Sequence, residues 1–205
     1  MRNLGIIIDE TMSLDDHVSH ISKLCFLYLR AISRQRRYLT RRGAKMLTEA
    51  YVLSRLGYCA SLLHSITIKQ EHRLNRIINY SVRLVLLLGR GIPIDSHLRN
   101  LAWLTTRKRA IFRLCILAYF SIKLSSPLPL SNLLLIRPPP SESLISTRSS
   151  VDQYSVVEPR TRLKFGDKAF RVAAAKQWNA LPIDVRKCES LRKFKNSLWL
   201  FVCSL

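Results

Sequence analysis

Apolar residues recur at intervals of three and four along most of this chain, and that spacing restricts it to helices packed against one another. The clearest case runs from about Lys69 to Leu88, where Leu74, Ile77, Ile78, Val82 and Val85 form one face. Val18, Ile21, Cys25, Tyr28 and Ile32 do the same in a helix expected from Ser13 to about Arg37, with Ser13 and Asp16 read as its capping pair. A helix from about Arg42 to His64 is apolar on most sides, through Met46, Leu47, Ala50, Leu53 and Leu62, which predicts a central position. Gly89 to Pro93 ends the helix before it, since glycine accepts a left-handed cap and proline cannot continue. A short helix near Asp95–Leu101 follows, then a longer one capped by Thr105 or Thr106 and reaching about Lys123, with Ile111, Cys115, Ala118 and Ile122 in register.

Two other segments read differently. Leu4 to Ile8 is apolar and β-branched up to Asp9, the pattern of one buried strand with nothing local to pair with, which suggests a piece of a larger fold. From Ser125 to Val157 the chain turns rich in Ser, Pro and Leu, including Pro138-Pro139-Pro140, and reads as a linker with Val156, Val157 and Leu163 in short extended pieces. Helical spacing returns at Asp167–Lys176 and again in Leu191, Phe194, Leu198, Phe201 and Leu205. The expected architecture is therefore mainly α: a multi-helix bundle over residues 1–124 with one short N-terminal strand, an irregular Pro/Ser-rich linker over 125–157, and a small helical part over 158–205.

Charge narrows the function. The chain carries 34 Lys and Arg against 13 Asp and Glu, a net charge of +21, which calls for a polyanionic partner. Nucleic acid comes first, an anionic membrane surface second and acidic proteins third. Membrane insertion is excluded on length, because the most apolar stretch, Ala110 to Ile122, is about 13 residues and contains Arg113, whereas a span needs roughly 20. The five cysteines, Cys25, Cys59, Cys115, Cys188 and Cys203, are scattered and set among apolar residues, as reduced, buried, intracellular thiols are.

Catalytic motifs are lacking: there is no phosphate-cradling glycine loop, no Cys-x-x-Cys and no nucleophile elbow. His17 and His20 could meet one metal ion from a helix, but no third ligand is near, so a solvated or capping pair is preferred and neither a metal nor a cofactor is expected. Asp15 and Asp16 read as helix-start carboxylates rather than as a catalytic pair. The basic residues are another matter. Arg30, Arg34, Arg36, Arg37, Arg41, Arg42 and Lys45 fall within sixteen residues with no acid among them, and Arg73, Arg76 and Arg83 join Lys69 in a helical stripe with Tyr80 available for stacking. These ten arginines and lysines, Arg30 to Lys45 and Arg73 to Arg83 without Lys69, are the candidate phosphate contacts for RNA, DNA or an RNA–DNA hybrid.

Several segments, taken in order, resemble one known family. They are Asn3-Leu4-Gly5-Ile6 with Asp9 and His17; Arg36-Arg37-Tyr38-Leu39; Ser54-Arg55-Leu56-Gly57-Tyr58-Cys59; Leu101-Ala102-Trp103-Leu104; Gly166-Asp167-Lys168-Ala169-Phe170; and Trp178-Asn179-Ala180-Leu181-Pro182 with Phe194-Lys195. Together they resemble the C-terminal part of the reverse transcriptase of non-LTR, LINE-type (jockey-like) retrotransposons. The chain departs from the family at Thr105, where proline is usual, and at Gly57, where aspartate is common. The resemblance implies the end of the polymerase palm, the thumb and a downstream segment. The family's aromatic-Ala-Asp-Asp turn, which carries the RNA-directed DNA polymerase metals, is missing, because Asp15-Asp16 follows Ser-Leu. The expectation is a non-enzymatic fragment that binds template–primer nucleic acid, intracellular and by its charge nuclear. Two alternatives stay open: a protein-interaction fragment that docks on the remaining polymerase parts, and a degenerate gene-model fragment without a selected function. Trp103, Trp178 and Tyr58 can equally be core aromatics.

Overall fold

The computed structural model describes residues 2–137, 154–163 and 165–205, so Pro138–Pro140 and the middle of the expected linker lie outside the described residues. The protein is mainly α-helical, as the spacing of its apolar residues predicts. It divides into two compact units, residues 1–109 and 110–205, the division falling within a helix.

In the first unit the short N-terminal strand is Ile6–Ile7 (β2), and its partner is the chain's own Arg2–Asn3 (β1), antiparallel across Leu4 and Gly5. Both turn residues take positive φ, 46° and 86°, which closes the two-residue turn that tight hairpins favour. Helix α1 (Asp15–Gln35) follows, then a 3₁₀ turn over Arg36–Tyr38 and α2 (Arg41–Thr48). The helical path continues through a π segment, Glu49–Leu53, into α3 (Ser54–Gly57) and breaks at Tyr58 and Cys59, where Cys59 has φ 49°. A 3₁₀ run, Ala60–Ser65, precedes α4 (Ile68–Leu86), and α5 (Asp95–Leu101) leads into α6 (Thr106–Lys123).

The single helix expected from Arg42 to His64 is thus four segments with a break after the third, and it is not apolar all round: Leu53 is buried, but Met46, Ala50 and Leu62 are exposed. The core of this unit is the set Cys25, Leu29, Ala44, Val52, Leu74, Ile77, Val82 and Val85, all fully buried. Leu29 takes the inward place expected of Tyr28, whose ring instead stacks on Tyr51 at 5.4 Å. Cys25 and Cys115 are buried thiols, and burial pushes them up to about 11 and about 12. Cys59, Cys188 and Cys203 are only half-buried, contrary to the uniform burial expected of the cysteines.

Some helix ends in this unit are closed by side chains from elsewhere in the chain and others by their own backbone. The N-cap of α1 is Leu14, with φ 62°, rather than Ser13 paired with Asp16. The upstream carboxylate of Asp9 accepts from the Ser13 backbone N–H at 2.6 Å, the Ser13 hydroxyl at 2.9 Å and the Asp15 N–H at 3.1 Å. Partial desolvation of Asp9 opposes ionisation, but the donors of Ser13, Thr11 and Asp15 outweigh it and hold the carboxyl at about 2. For α6, Asn75 Oδ1 accepts from the Thr106 N–H at 2.9 Å. The left-handed cap of α4 is Leu87, φ 57°, two residues before the expected Gly89. At the end of α5, Ala102 is left-handed, its N–H reaching Arg99 and the Trp103 N–H reaching Leu98 at 2.9 Å, a Schellman closure that accounts for Leu101-Ala102-Trp103. Trp103 is then buried, with Nε1 donating to Glu49 of the π segment at 2.8 Å.

The second unit contains α6 from Ala110 onward, α7 (Leu128–Ser131), a bridge between Ile136 and Val156, a 3₁₀ turn over Gly166–Lys168, α8 (Phe170–Asn179), α9 (Ile183–Arg186) and α10 (Leu191–Ser204). Its centre is aromatic: Tyr119 stacks on Phe194 at 4.4 Å, and Trp178 lies 5.9 Å from the same ring. The Trp-Asn-Ala-Leu-Pro segment has a local purpose at each polar position. Trp178 Nε1 donates to the Tyr154 carbonyl at 2.8 Å, Asn179 pairs with both backbone groups of Val156 at 2.9 Å, and Pro182 is the N-cap of α9. Trp103 and Trp178 are therefore core aromatics, whereas Tyr58 is exposed and donates its hydroxyl to the Leu4 carbonyl.

Candidate nucleic-acid interface

Helices α1 and α4 run side by side in the same direction. Gln70 ties their N-terminal ends: with Thr67 it forms the capping box of α4, and its Nε2 donates to the Ser13 carbonyl at 3.0 Å and to Asp15. Arg36 ties their C-terminal ends, donating from Nε to the Leu84 carbonyl at 2.8 Å and from Nη2 to that of Val85 at 2.9 Å. Those are last-turn carbonyls with no partner inside the helix, so the guanidinium caps α4 and offsets its dipole. A third Arg36 bond, to Leu39 at 2.8 Å, fixes the 3₁₀ turn.

A groove between the two helices holds two basins on the same face of α4. The first, about 810 Å³, is lined by Lys23, Arg30, Lys69, His72, Arg73 and Arg76, with Phe26 and Leu27 beside them, and no carboxylate lines it among the described residues. Arg73 Nη1 donates to Ser19 at 2.8 Å, which holds one cation toward α1. The second basin, about 860 Å³, begins one turn further along α4 and is lined by Arg36, Arg37, Tyr80, Arg83, Leu87 and Arg90, together with Ser33, Leu39, Leu84 and Leu88. From Lys69 to Arg83 the groove follows α4 for about 21 Å, at ~1.5 Å per residue. That length matches roughly six nucleotides at ~3.4 Å each.

The ten expected phosphate contacts divide accordingly. Arg30, Arg73 and Arg76 line the first basin, and Arg36, Arg37 and Arg83 the second. Arg83 donates to the carbonyls of Gly89, Arg90 and Ile92 at 3.3, 3.1 and 3.4 Å, so it closes the loop after α4 much as Arg36 closes the helix. Arg37 lies over the Tyr38 ring at 4.7 Å. Arg34, Arg41, Arg42 and Lys45 line neither basin, and Lys45 pairs with Glu49 at 3.7 Å. Lys23, Lys69, His72 and Arg90 were outside the expected set; only Lys69 had a signal in the sequence, its place in the stripe with Arg73 and Arg76.

His17 is buried, and its Nδ1 accepts from the Ile7 N–H at 3.3 Å, so it belongs to the join between the hairpin and α1. Burial, and then the charge of His20, lower its pKa. Among the described residues no group of three or more His, Cys, Asp or Glu could hold a metal ion, and no helix is long and apolar enough to cross a membrane. Set against protein-family models, curated proteins and solved structures, the chain matches none.

Proposed function

We propose that this chain is a non-catalytic nucleic-acid-binding segment, of the kind that follows the palm in LINE-type reverse transcriptases, and that it grips template–primer nucleic acid by its phosphates along the α1–α4 groove. The observation that carries this reading is the first basin, where five ammonium or guanidinium groups and one imidazole converge without a facing carboxylate among the described residues. Such a cluster opposes folding by self-repulsion and is relieved when a polyanion binds there, its condensed counterions being released to solution. The order of the sequence segments supports the family, and the missing aromatic-Ala-Asp-Asp turn supports a role without polymerase chemistry.

The test is the anisotropy of a labelled RNA–DNA hybrid titrated with the full chain at low salt. Binding is expected irrespective of base sequence, and the joint substitution Lys69→Ala, Arg73→Ala, Arg76→Ala weakens it by about tenfold or more. Absence of binding by the unsubstituted chain, or equal affinity in the two proteins, overturns the reading.

A further inference from the structure

A separate pocket of about 490 Å³ opens on another face of α1. His17, His20, Ile21 and Leu24 line it, at the spacing that puts them on one face, whereas the groove takes Lys23, Phe26, Leu27 and Arg30. The hairpin turn contributes Leu4 and Gly5, and the π segment and α3 contribute Ala50, Ser54 and Arg55, with Tyr58 just beyond. Hydrogen bonding within the chain leaves this pocket with donors and no acid. His17 is 4% exposed, and its Nδ1 accepts from the Ile7 N–H at 3.3 Å, so the neutral ring carries its proton on Nε2. Burial, and then the charge of His20, favour that neutral ring near pH 7. The Nε2–H has no acceptor among the described residues, a costly state for a buried donor. Arg55 gives Nη2 to the Tyr28 hydroxyl at 3.1 Å, which leaves Nε and Nη1 without an acceptor among the described residues. The hydroxyls of Ser54 and Tyr58 are spent on the carbonyls of Ala50 and Leu4. No carboxylate lines the pocket among the described residues. A fitting ligand must therefore accept hydrogen bonds and bring negative charge. Ile21, Leu24, Ala50 and the half-exposed Tyr58 ring give it apolar surface to cover as well.

We propose that this pocket binds a small organic oxyanion, its head accepting from the His17 Nε2–H and the Arg55 guanidinium and its short apolar body lying against Leu24 and the Tyr58 ring. Carboxylate and phosphate monoester heads share this chemistry, and the volume falls within the roughly 300–1,000 Å³ of small-molecule sites. The pocket shares no lining residue with either basin of the groove, so the inference stands whether or not the groove binds nucleic acid. It gives a common purpose to three segments that phosphate gripping does not use: Leu4-Gly5, His17 and the run from Ser54 to Tyr58.

The experiment titrates the full chain, carrying ¹⁵N-histidine, with benzoate, phenyl phosphate and inorganic phosphate at pH 7, with ionic strength held constant by chloride. The imidazole ¹⁵N shifts of His17 are the readout, which ties the response to this pocket rather than to cations elsewhere. A saturable shift is expected with at least one aryl probe, at a Kd about tenfold or more below that of inorganic phosphate, because only the aryl probes use the apolar wall. Saturation by benzoate alone identifies a carboxylate head, by phenyl phosphate alone a phosphate monoester, and by both a site that accepts either. Arg55→Gln should weaken the response about tenfold or more by removing a charged donor. Ala50→Leu should do the same by filling the pocket, with every charge kept. No saturable shift with either aryl probe, a Kd for inorganic phosphate equal to theirs, or unchanged affinity in both variants overturns the inference.

Discussion

Both units are rich in Lys and Arg, and they use them differently. In the second unit, three of the cations between Arg160 and Lys195 are engaged within the fold. Lys176 reaches Glu158 at 3.8 Å and Asp167 at 3.4 Å, Arg186 is buried with Nε on the Leu181 carbonyl at 2.9 Å, and Lys187 lies 6.0 Å from the Tyr154 ring. In the first unit, Lys23, Arg30, Lys69 and Arg76 face a shared groove with no carboxylate lining it among the described residues. The comparison teaches that net charge is a poor locator of function. What separates a binding face from a stabilising network is whether the positive groups have been given acceptors by their own chain.

The comparison can be broken at its structural end first. Trp178 is the fully buried centre of the second unit, so Trp178→Ala is expected to cost about 3–5 kcal/mol. Urea denaturation reads that loss. Hybrid affinity, measured where the variant is still folded, stays within about twofold if the groove acts without this core. A smaller effect sharpens the contrast inside the basic segment itself. Arg36→Ala removes three charge-assisted bonds to carbonyls and should destabilise by about 2–3 kcal/mol, whereas exposed Arg34→Ala should stay within about 0.5 kcal/mol. Equal losses at the two positions would deny that Arg36 is a helix cap.

The smallest effect is a pH dependence seated in the first unit. The folded-state pKa of Asp9, about 2, lies below the ordinary 3.8, so the folded state binds fewer protons there than the unfolded chain does. Its contribution is complete above about pH 4, fades as the pH falls, and is gone once Asp9 protonates near 2. His17, also lowered, adds a slope of the same sign that begins below its ordinary 6.5. Denaturation midpoints between these pH values should fall with acid, and Asp9→Asn should flatten the lower limb only.

Much of the helical layout was legible because it is written locally. The five residues of α4 that its spacing names are all buried, joined by Gln70, Ser81 and Leu84, and α5 runs over the residues expected of it. What escaped the sequence is what joins distant residues. Asp9 capping α1, Asn75 capping α6 and Arg36 capping α4 depend on tertiary neighbours that periodicity does not reveal. The break of the second long helix falls at Tyr58 and the left-handed Cys59, just after Gly57, while the π segment before it lies at residues with no glycine or proline signal of their own. The groove was half legible for the same reason. The stripe on α4 could be read directly, but its pairing with Lys23 and Arg30 needs α1 to lie alongside in the same direction.

The central claim is that the α1–α4 groove neutralises phosphates, and the salt dependence of hybrid binding tests it most directly. With Lys23, Arg30, Lys69, Arg73 and Arg76 engaged, log affinity should fall with log salt at a slope of about −4.5, and the triple variant lacking Lys69, Arg73 and Arg76 should bring it to about −2. A slope near zero, or the same slope in both proteins, would contradict the account.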